Sequence, residues 1–398
     1  MPPRIALLAA EPSGDLQAAA LARQLKLHLP EAELCGVGGQ HMRSAGVQLF
    51  FDSSVWSAVG LIEALPRIPL GLITYYRLWS KLERLRPDLT VLIDAPGIQM
   101  RLAKRLQKAR LRSLYYFPPS AWNPGAARAG QIHSRVSAVL TTFRFNYRSY
   151  CQAGLPVAFF GHPLVSLLQP VSKEEACIRL GLDPSKRYLA LLPGSRTQEI
   201  RLMLPLFMEV ARRLRAEAPG CELLVPAATT AVEALIRAQV GSPPPWLHLL
   251  SGSSREALAA SHVAIVASGS VSIEAALLGI PMVLAYRVNR MDYLFGRMLM
   301  KAGLLRFRWF GLPNLVLQED VVPELLQAEA SPERLTAEAL ALFEGRPGRA
   351  RQLSDLARVR EALGPANAVE RIGAFTAAFA CGQSLEESIR TAGGNLSG

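Results

Sequence analysis

Short apolar runs, glycine-bearing turns and longer amphipathic stretches alternate along most of this chain. Arg4-Ile-Ala-Leu-Leu-Ala-Ala10 is the first run. It is short and almost unbroken in its apolarity, as a strand covered on both faces should be. Glu11-Pro12-Ser13-Gly14-Asp15 then forms a loop, and Leu16 to Leu29 carries apolar residues at helical spacing. Leu34-Cys-Gly-Val-Gly-Gly-Gln-His-Met42 reads as a second strand entering a glycine turn. Further strands are expected over Asp88–Ile93, Ser113–Phe117 and Val136–Thr141, and Val157-Ala-Phe-Phe-Gly-His-Pro-Leu164 closes this half. After a helix and linker over 166–187 the rhythm resumes at Tyr188–Leu192, Glu222–Pro226, Leu247–Leu250, Val263–Ala267 and Pro281–Tyr286. Residues 331–389 have the spacing of amphipathic helices, and the tail to Gly398 is expected to fray. Strand, loop and helix in alternation predict parallel sheets with site-bearing loops at the strand C-termini. The expected class is α/β with two Rossmann-like domains. They cover 1–165 and 166–345, and helices and tail over 346–398 pack back.

Two loops carry the first chemical signal. Leu191-Leu-Pro-Gly-Ser-Arg-Thr-Gln-Glu-Ile200 reads as strand, tight turn and helix start. Gly194 suits the turn, Ser195 or Thr197 suits the cap, and Gln198 and Glu199 fall in the first turn. A helix start gathers unpaired N–H groups and a positive dipole end, which is an anion site, and Arg196 adds a fork of donors. An ordinary strand-to-helix turn with a surface Arg reads the same residues equally well. The plan recurs at Val263-Ala-Ile-Val-Ala-Ser-Gly-Ser-Val-Ser-Ile-Glu274. Ser268, Gly269, Ser270 and Ser272 suit a diphosphate. Glu274, one turn into the helix, can accept from two ribose hydroxyls, or it is a solvated helix residue. Two such loops on one α/β unit are what a nucleotide site needs. In the first half, Asp15 stands at a helix start, as a cap or a catalytic carboxylate. Asp94 ends a strand ahead of Pro96-Gly97, and His162 lies between Gly161 and Pro163.

Composition narrows the partners. The 398 residues carry a formal net charge of +12, which favours an acidic partner: nucleic acid, anionic lipid or a phosphorylated substrate. No recognisable nucleic-acid fold gathers these charges, so a nucleic-acid partner is not expected. Cys35, Cys151, Cys177, Cys221 and Cys381 are scattered without metal-site spacing, so reduced thiols, a cytoplasmic setting and no metal site are expected. The first strand starts at once, which argues against a signal peptide, and no apolar run has membrane-spanning length. Residues 55–86 and 287–310 are apolar and aromatic with a strong excess of basic charge. The first fits either an interfacial face on anionic lipid or a core helix packed on its sheet, and the second fits a place near the same lipid face.

In order and spacing, these motifs identify a family. The carriers are Glu11-Pro-Ser-Gly-Asp15, Gly36-Val-Gly-Gly39, Val59-Gly-Leu-Ile-Glu63, Ile93-Asp-Ala-Pro96, Pro119-Ser-Ala-Trp122 and Gly161-His-Pro163. Leu192-Pro-Gly-Ser-Arg196, Ala267-Ser-Gly-Ser270 with Glu274, Tyr286-Arg287 and Leu312-Pro-Asn314 complete the set. Over nearly its whole length the chain resembles the lipid-A-disaccharide synthases, inverting glycosyltransferases of the GT-B kind, whose two domains face a cleft. The resemblance implies transfer of a 2,3-diacylglucosamine unit from UDP to 2,3-diacylglucosamine 1-phosphate, with UDP released. It implies UDP-sugar as donor substrate, a phosphorylated glycolipid as acceptor, no cofactor and no metal. UDP would meet Gly194, Ser195, Arg196, Ser268, Gly269, Ser270, Ser272 and Glu274. The acceptor would sit near Ser13, Gly14 and Asp94, with His162, Arg287 and Asn314 at the cleft. With the two basic, aromatic segments, the expected location is cytoplasmic and peripheral on the inner face of the cell membrane.

Three departures fall in the acceptor half. The family's Asp-Ala-Pro motif continues Asp-Phe-Asn, where this chain has Gly97-Ile98-Gln99. The second carboxylate of that motif is absent, so Asp94 and Asp15 are the candidate bases. The aromatic Ser-Val-Trp-Ala-Trp loop reads Ser120-Ala-Trp-Asn-Pro124, and Pro-Phe-Glu reads Arg144-Phe145-Asn146. Beside the lipid A reaction stand a paralogous transferase with another acceptor and a non-catalytic sugar-nucleotide-binding homologue.

Overall fold

The computed structural model describes residues 2–53, 68–118, 132, 134–267, 269–301 and 308–394. The chain forms two compact units, Met1–Leu167 with Leu363–Gly398, and Leu168–Ala362. The residues read as one tail from the sequence, 346–398, are thus divided between them.

The first unit opens with β1 (Arg4–Ala9), α1 (Pro12–His28), β2 (Glu33–Gly38), α2 (Gln40–Ser44), β3 (Gln48–Asp52) and α3 (Ile68–Leu85). It continues through β4 (Leu89–Ile93), α4 (Pro96–Lys108), β5 (Ser113–Tyr116), β6 (Ala138–Thr141), α5 (Arg144–Gln152), β7 (Val157–Phe159) and α6 (Pro163–Leu167). The second unit holds α7 (Lys173–Leu180), β8 (Arg187–Leu192), α8 (Thr197–Glu217), β9 (Cys221–Ala227), α9 (Thr230–Val240), β10 (Leu247–Ser251), α10 (Ser254–Ala260) and β11 (Ser261–Ala267). It ends with α11 (Val271–Leu277), β12 (Met282–Tyr286), α12 (Arg290–Lys301), α13 (Leu312–Leu317), β13 (Glu324–Leu326), α14 (Pro332–Phe343) and α15 (Pro347–Leu363). The chain then returns to the first unit with α16 (Ala368–Ala380) and α17 (Leu385–Thr391).

All strand pairs are parallel. The orders are β3-β2-β1-β4-β5-β6-β7 and β10-β9-β8-β11-β12-β13. Side chains alternate between the two faces, as strand geometry requires. Ile5, Leu7 and Ala9 of β1 join α1 and α16 in one core, while Ala6 and Leu8 join α3 and α4 in another. In the second unit Leu189 and Leu191 face α8 and α14, and Tyr188 faces α7 and α10. Each unit is therefore a helix–sheet–helix sandwich.

Two strands escaped the sequence reading. The pattern of β3 is mixed because it lies at a sheet edge, and β13 is only three residues long. Helix α1 begins at Pro12 rather than Leu16, since proline's fixed φ suits the first helical position. Helix α4 begins at Pro96 for the same reason, and Gly97 lies inside it.

In each sheet the strand order reverses once, between β1 and β4 and between β8 and β11. Connections leave those neighbouring strands toward opposite sides. Their C-terminal ends bound a crevice where open α/β sheets bind ligands.

Candidate functional site

In the second unit the two loops singled out from sequence are the two at this reversal. The first follows β8 and the second follows β11. At the first, the N-cap position is Arg196, and neither Ser195 nor Thr197 caps with its side chain. The cap comes from inside the helix. Glu199 Oε2 accepts from the backbone N–H of Ser195 at 3.1 Å and of Arg196 at 3.3 Å. Gly194 has φ +113°, and an added Cβ would lie 2.6 Å from that oxygen, so no side chain fits there. The expected anion cradle is thus filled by the chain's own carboxylate. What remains for an anion is the Arg196 side chain, which is exposed and 3.9 Å from Glu199.

At the second loop, Ser268 lies outside the described residues. Gly269 has φ +145° with open space where a Cβ would stand, and Ser270 is exposed. Ser272 is buried, and its hydroxyl donates to the Gly269 carbonyl at 2.7 Å, so it shapes the turn instead of lining it. Glu274 follows in the first turn of α11. Burial pushes its carboxyl up from the ordinary glutamate value, and Arg255 opposes the shift. Among the described residues no hydrogen bond reaches that carboxylate. A desolvated acceptor with no donor is energetically exposed, and two vicinal hydroxyls would satisfy it.

In the first unit the reversal brings Ser13, Gly14 and Asp94 together. Ser13 is exposed at the start of α1. A Cβ added at Gly14 would stand 3.8 Å from the Asp94 Cβ. Asp94 and Ala95 both lie in the left-handed region, at φ 55° and 43°. Neither is glycine, so the turn carries backbone strain.

Asp15 corrects an expectation. It is only 3% exposed, and its carboxylate accepts three N–H groups: Gly39 at 2.6 Å, His41 at 3.0 Å and Met42 at 3.1 Å. It caps α2, which starts 25 residues further on, after the next strand. A Cβ on Gly39 would come within 2.9 Å of the carboxylate, and one on Gly38 would collide with Met42 Sδ and meet the carboxylate at 3.0 Å. An acid so engaged anchors a turn.

Three other expected cleft residues have partners within their own unit. His162 is buried against the rings of Phe117 and Phe143. Burial pulls its pKa down to about 3, and Nδ1 accepts the Leu164 N–H, so the neutral ring carries its proton on Nε2. Arg287 donates to the Ala330 carbonyl at 2.6 Å. Asn314 is buried; it accepts from the N–H groups of Val321 and Val322 and donates to Val322 O and Glu324 Oε1. Sequence reasoning missed the structural parts played by Glu199, Gln99 and Tyr115. Only the first had a signal, an acid three residues past a cap position.

No helix among the described residues is long and apolar enough to cross a membrane, and those residues hold no cluster of three metal-ligating side chains. The lipid-A-disaccharide synthetase family matches residues 5–375. The lipid-A-disaccharide synthase of Nitrosococcus oceani is 36% identical over 384 residues, covering 96% of this chain and 98% of that one. That of Syntrophus aciditrophicus is 35% identical over 370 residues, covering 92% and 95%. Three solved structures share the fold. A UDP-N-acetylglucosamine 2-epimerase (so described) from Listeria monocytogenes has TM-score 0.66 at 15% identity, covering 95% and 96%. S. aureus MnaA with UDP has 0.63 at 11%, covering 95% and 96%. The glycotransferase of kitacinnamycin has 0.62 at 16%, covering 93% and 98%. A match from the first strand to α16, with a third of positions shared almost end to end, leads to one conclusion: this chain belongs to the lipid-A-disaccharide synthase family.

Proposed function

We propose that this chain joins UDP-2,3-diacylglucosamine to 2,3-diacylglucosamine 1-phosphate, forming the disaccharide 1-phosphate of lipid A and releasing UDP. One observation carries the reading. Both nucleotide-type loops emerge at the strand-order reversal of the second sheet, and the second presents a desolvated carboxylate at Glu274 that no donor among the described residues reaches. The bound UDP of a structurally similar protein supports a uridine nucleotide here.

In this reading Glu274 accepts from the ribose hydroxyls. The Arg196 guanidinium and the Gly269–Ser270 backbone meet the diphosphate and stabilise the charge that builds on it as it leaves. In the first unit Asp94 takes the proton of the acceptor hydroxyl as that oxygen bonds to the anomeric carbon. The bond from that carbon to the diphosphate oxygen breaks, and the electron pair leaves with UDP. No metal is assigned a part in these steps.

The substrates are acylated, and two helices offer apolar faces to the solvent side. Helix α3 exposes Leu72, Ile73 and Tyr76 beside Arg77 and Lys81. Helix α12 exposes Met291, Leu294 and Met298 beside Arg297 and Lys301. Both suit shallow insertion into anionic lipid. Cosedimentation with vesicles containing phosphatidylglycerol tests this; equal binding to purely zwitterionic vesicles would remove the basic residues from the account.

The functional test offers the purified protein both diacylated substrates and follows disaccharide and UDP. Absence of product under all conditions would sink the reading. Gly97 motivates a second one. It is exposed and has open space around its Cα where the family motif carries an acid, which leaves room for a different acceptor. Transfer to another acylated sugar, but not to the 1-phosphate, would favour it.

A further inference from the structure

The strained turn at the end of β4 needs something to hold it, and the structure shows what does. The Asp94 N–H donates to the Tyr116 carbonyl at 3.2 Å, and the Tyr115 hydroxyl donates to the Asp94 carbonyl at 3.1 Å. Gln99 Nε2 donates to Ile93 O at 3.3 Å, the residue just before the turn, and to Leu8 O of β1 at 2.7 Å. Inside the turn Asp94 Oδ1 accepts from the Ala95 N–H at 2.9 Å. Tyr115 is fully buried and Gln99 is 1% exposed. Burial, with the Asp94 charge adding to it, pushes the Tyr115 phenol well above its ordinary value, so it stays a donor at any working pH. Among the described residues Gln99 Oε1 meets no donor, so this side chain is held for what it gives. Turning the amide over would set its oxygen against two carbonyls.

We infer that Tyr115 and Gln99 are positioning residues for glycosyl transfer, fixing the left-handed Asp94-Ala95 turn so that the Asp94 carboxylate is presented in one orientation at the β1–β4 reversal. The left-handed pair relaxes toward ordinary backbone angles unless its surroundings hold it. Tyr115 grips the carbonyl that follows the Asp94 Cα, and Gln99 grips the carbonyl that precedes it. Together they fix both peptide planes flanking the catalytic side chain. Gln99 also ties β4 to β1, so the turn keeps its place relative to Ser13 and Gly14. Neither residue touches substrate in this account. Both act through Asp94, so the inference rests on the proposed role of Asp94 as base.

Tyr115→Phe and Gln99→Met remove the donors with little change of volume. Each is made alone and in the Asp94→Asn background, with folding followed by urea denaturation and UDP affinity by calorimetry. The expected result is a fall in kcat of about 10–100-fold for each single variant, the scale of a misplaced reacting group. KM for both substrates and the UDP dissociation constant stay within about twofold, since uniform binding is untouched. In the Asp94→Asn background neither change lowers kcat further. A full kcat in both single variants, with Asp94→Asn inactive, overturns the inference and leaves the role of Asp94 standing. An equal fall in both backgrounds also overturns it, because the two residues would then act by another route. A fully active Asp94→Asn removes the base itself and the inference with it.

Discussion

The two sheet reversals share a plan and differ in how they are built. In the second unit each loop is made locally: Glu199 caps the turn four residues before it, and Ser272 ties back to Gly269. In the first unit the corresponding loops are held from a distance. Asp15 reaches Gly39, His41 and Met42 across a whole strand, and Tyr115 holds the Asp94 carbonyl from the next strand, while Gln99 ties the same turn back to Leu8 of β1. A locally built loop can grip a common group such as a nucleoside diphosphate and remain recognisable across relatives. A loop built from distant parts can change its neighbours while the carboxylate it presents stays in place. The three departures from the family pattern, at Gly97, around Ser120-Ala121 and at Arg144, all fall in the first unit.

The sharpest way to break this contrast is to remove the carboxylate of the distant-built loop. Asp94→Asn is expected to lower kcat about 10²–10⁴-fold, as loss of a general base does, while the UDP dissociation constant from calorimetry is unchanged. A parallel loss of UDP affinity would show that the two reversals do not divide the work. Next comes Asp15→Ala, expected to cost about 3 kcal/mol in urea unfolding, because three N–H groups, that of Met42 buried, lose a charged acceptor. An unchanged midpoint with lost turnover would return Asp15 to the list of bases. On the locally built side, Arg196→Ala is expected to weaken UDP binding by about 2 kcal/mol, the scale of a charge-assisted hydrogen bond. An unchanged dissociation constant would take Arg196 out of the site.

The smallest effect expected belongs to Glu274. Glu274→Gln should weaken UDP binding by about 1 kcal/mol and leave free pyrophosphate binding unaltered. Its pH dependence has a definite sign. Burial raises the free carboxyl above its ordinary value, and hydroxyl donors favour the ionised form and draw the value back down. UDP affinity should therefore rise as pH climbs through that raised value and be lost as pH falls below it. Complex formation should release protons in that window, which calorimetry in two buffers of different ionisation enthalpy measures. Proton uptake instead would reverse the assignment.

The same contrast governs what could be read from sequence. The strand-and-helix alternation and both loops of the second unit were legible, since periodicity and turn residues are local signals. The two readings of Asp15 from sequence were a cap and a base. Three-dimensional contact favours the cap, though of α2 rather than of its own helix. His162 looked like a cleft residue because glycine and proline flank it. Its burial depends on Phe117 and Phe143, which lie outside its own segment and could not be placed beside it from spacing alone. Tyr115 sat in a strand of ordinary apolar pattern, with nothing to mark its hydroxyl. The division of the helices and tail over 346–398 between two units was not legible, because helical periodicity says how a helix is patterned and not which body it covers. Ser268, the Val59–Glu63 motif and the Pro119–Trp122 loop lie outside the described residues, so their parts rest on the sequence.

The return of the chain at Leu363 sets an order of assembly during synthesis. Everything the second unit needs has left the ribosome before α16 and α17 emerge, whereas α1, made near the start, waits for them. Ile372, Phe375 and Phe379 fill the core against Ala18, Leu21 and Leu25, so until α16 emerges that side of the first sheet lacks part of its cover. Domains commonly mature from the N-terminus onward. In this polypeptide a message stopped short of α16 would yield the Leu168–Ala362 unit with its own core and a first unit without Ile372, Phe375 and Phe379.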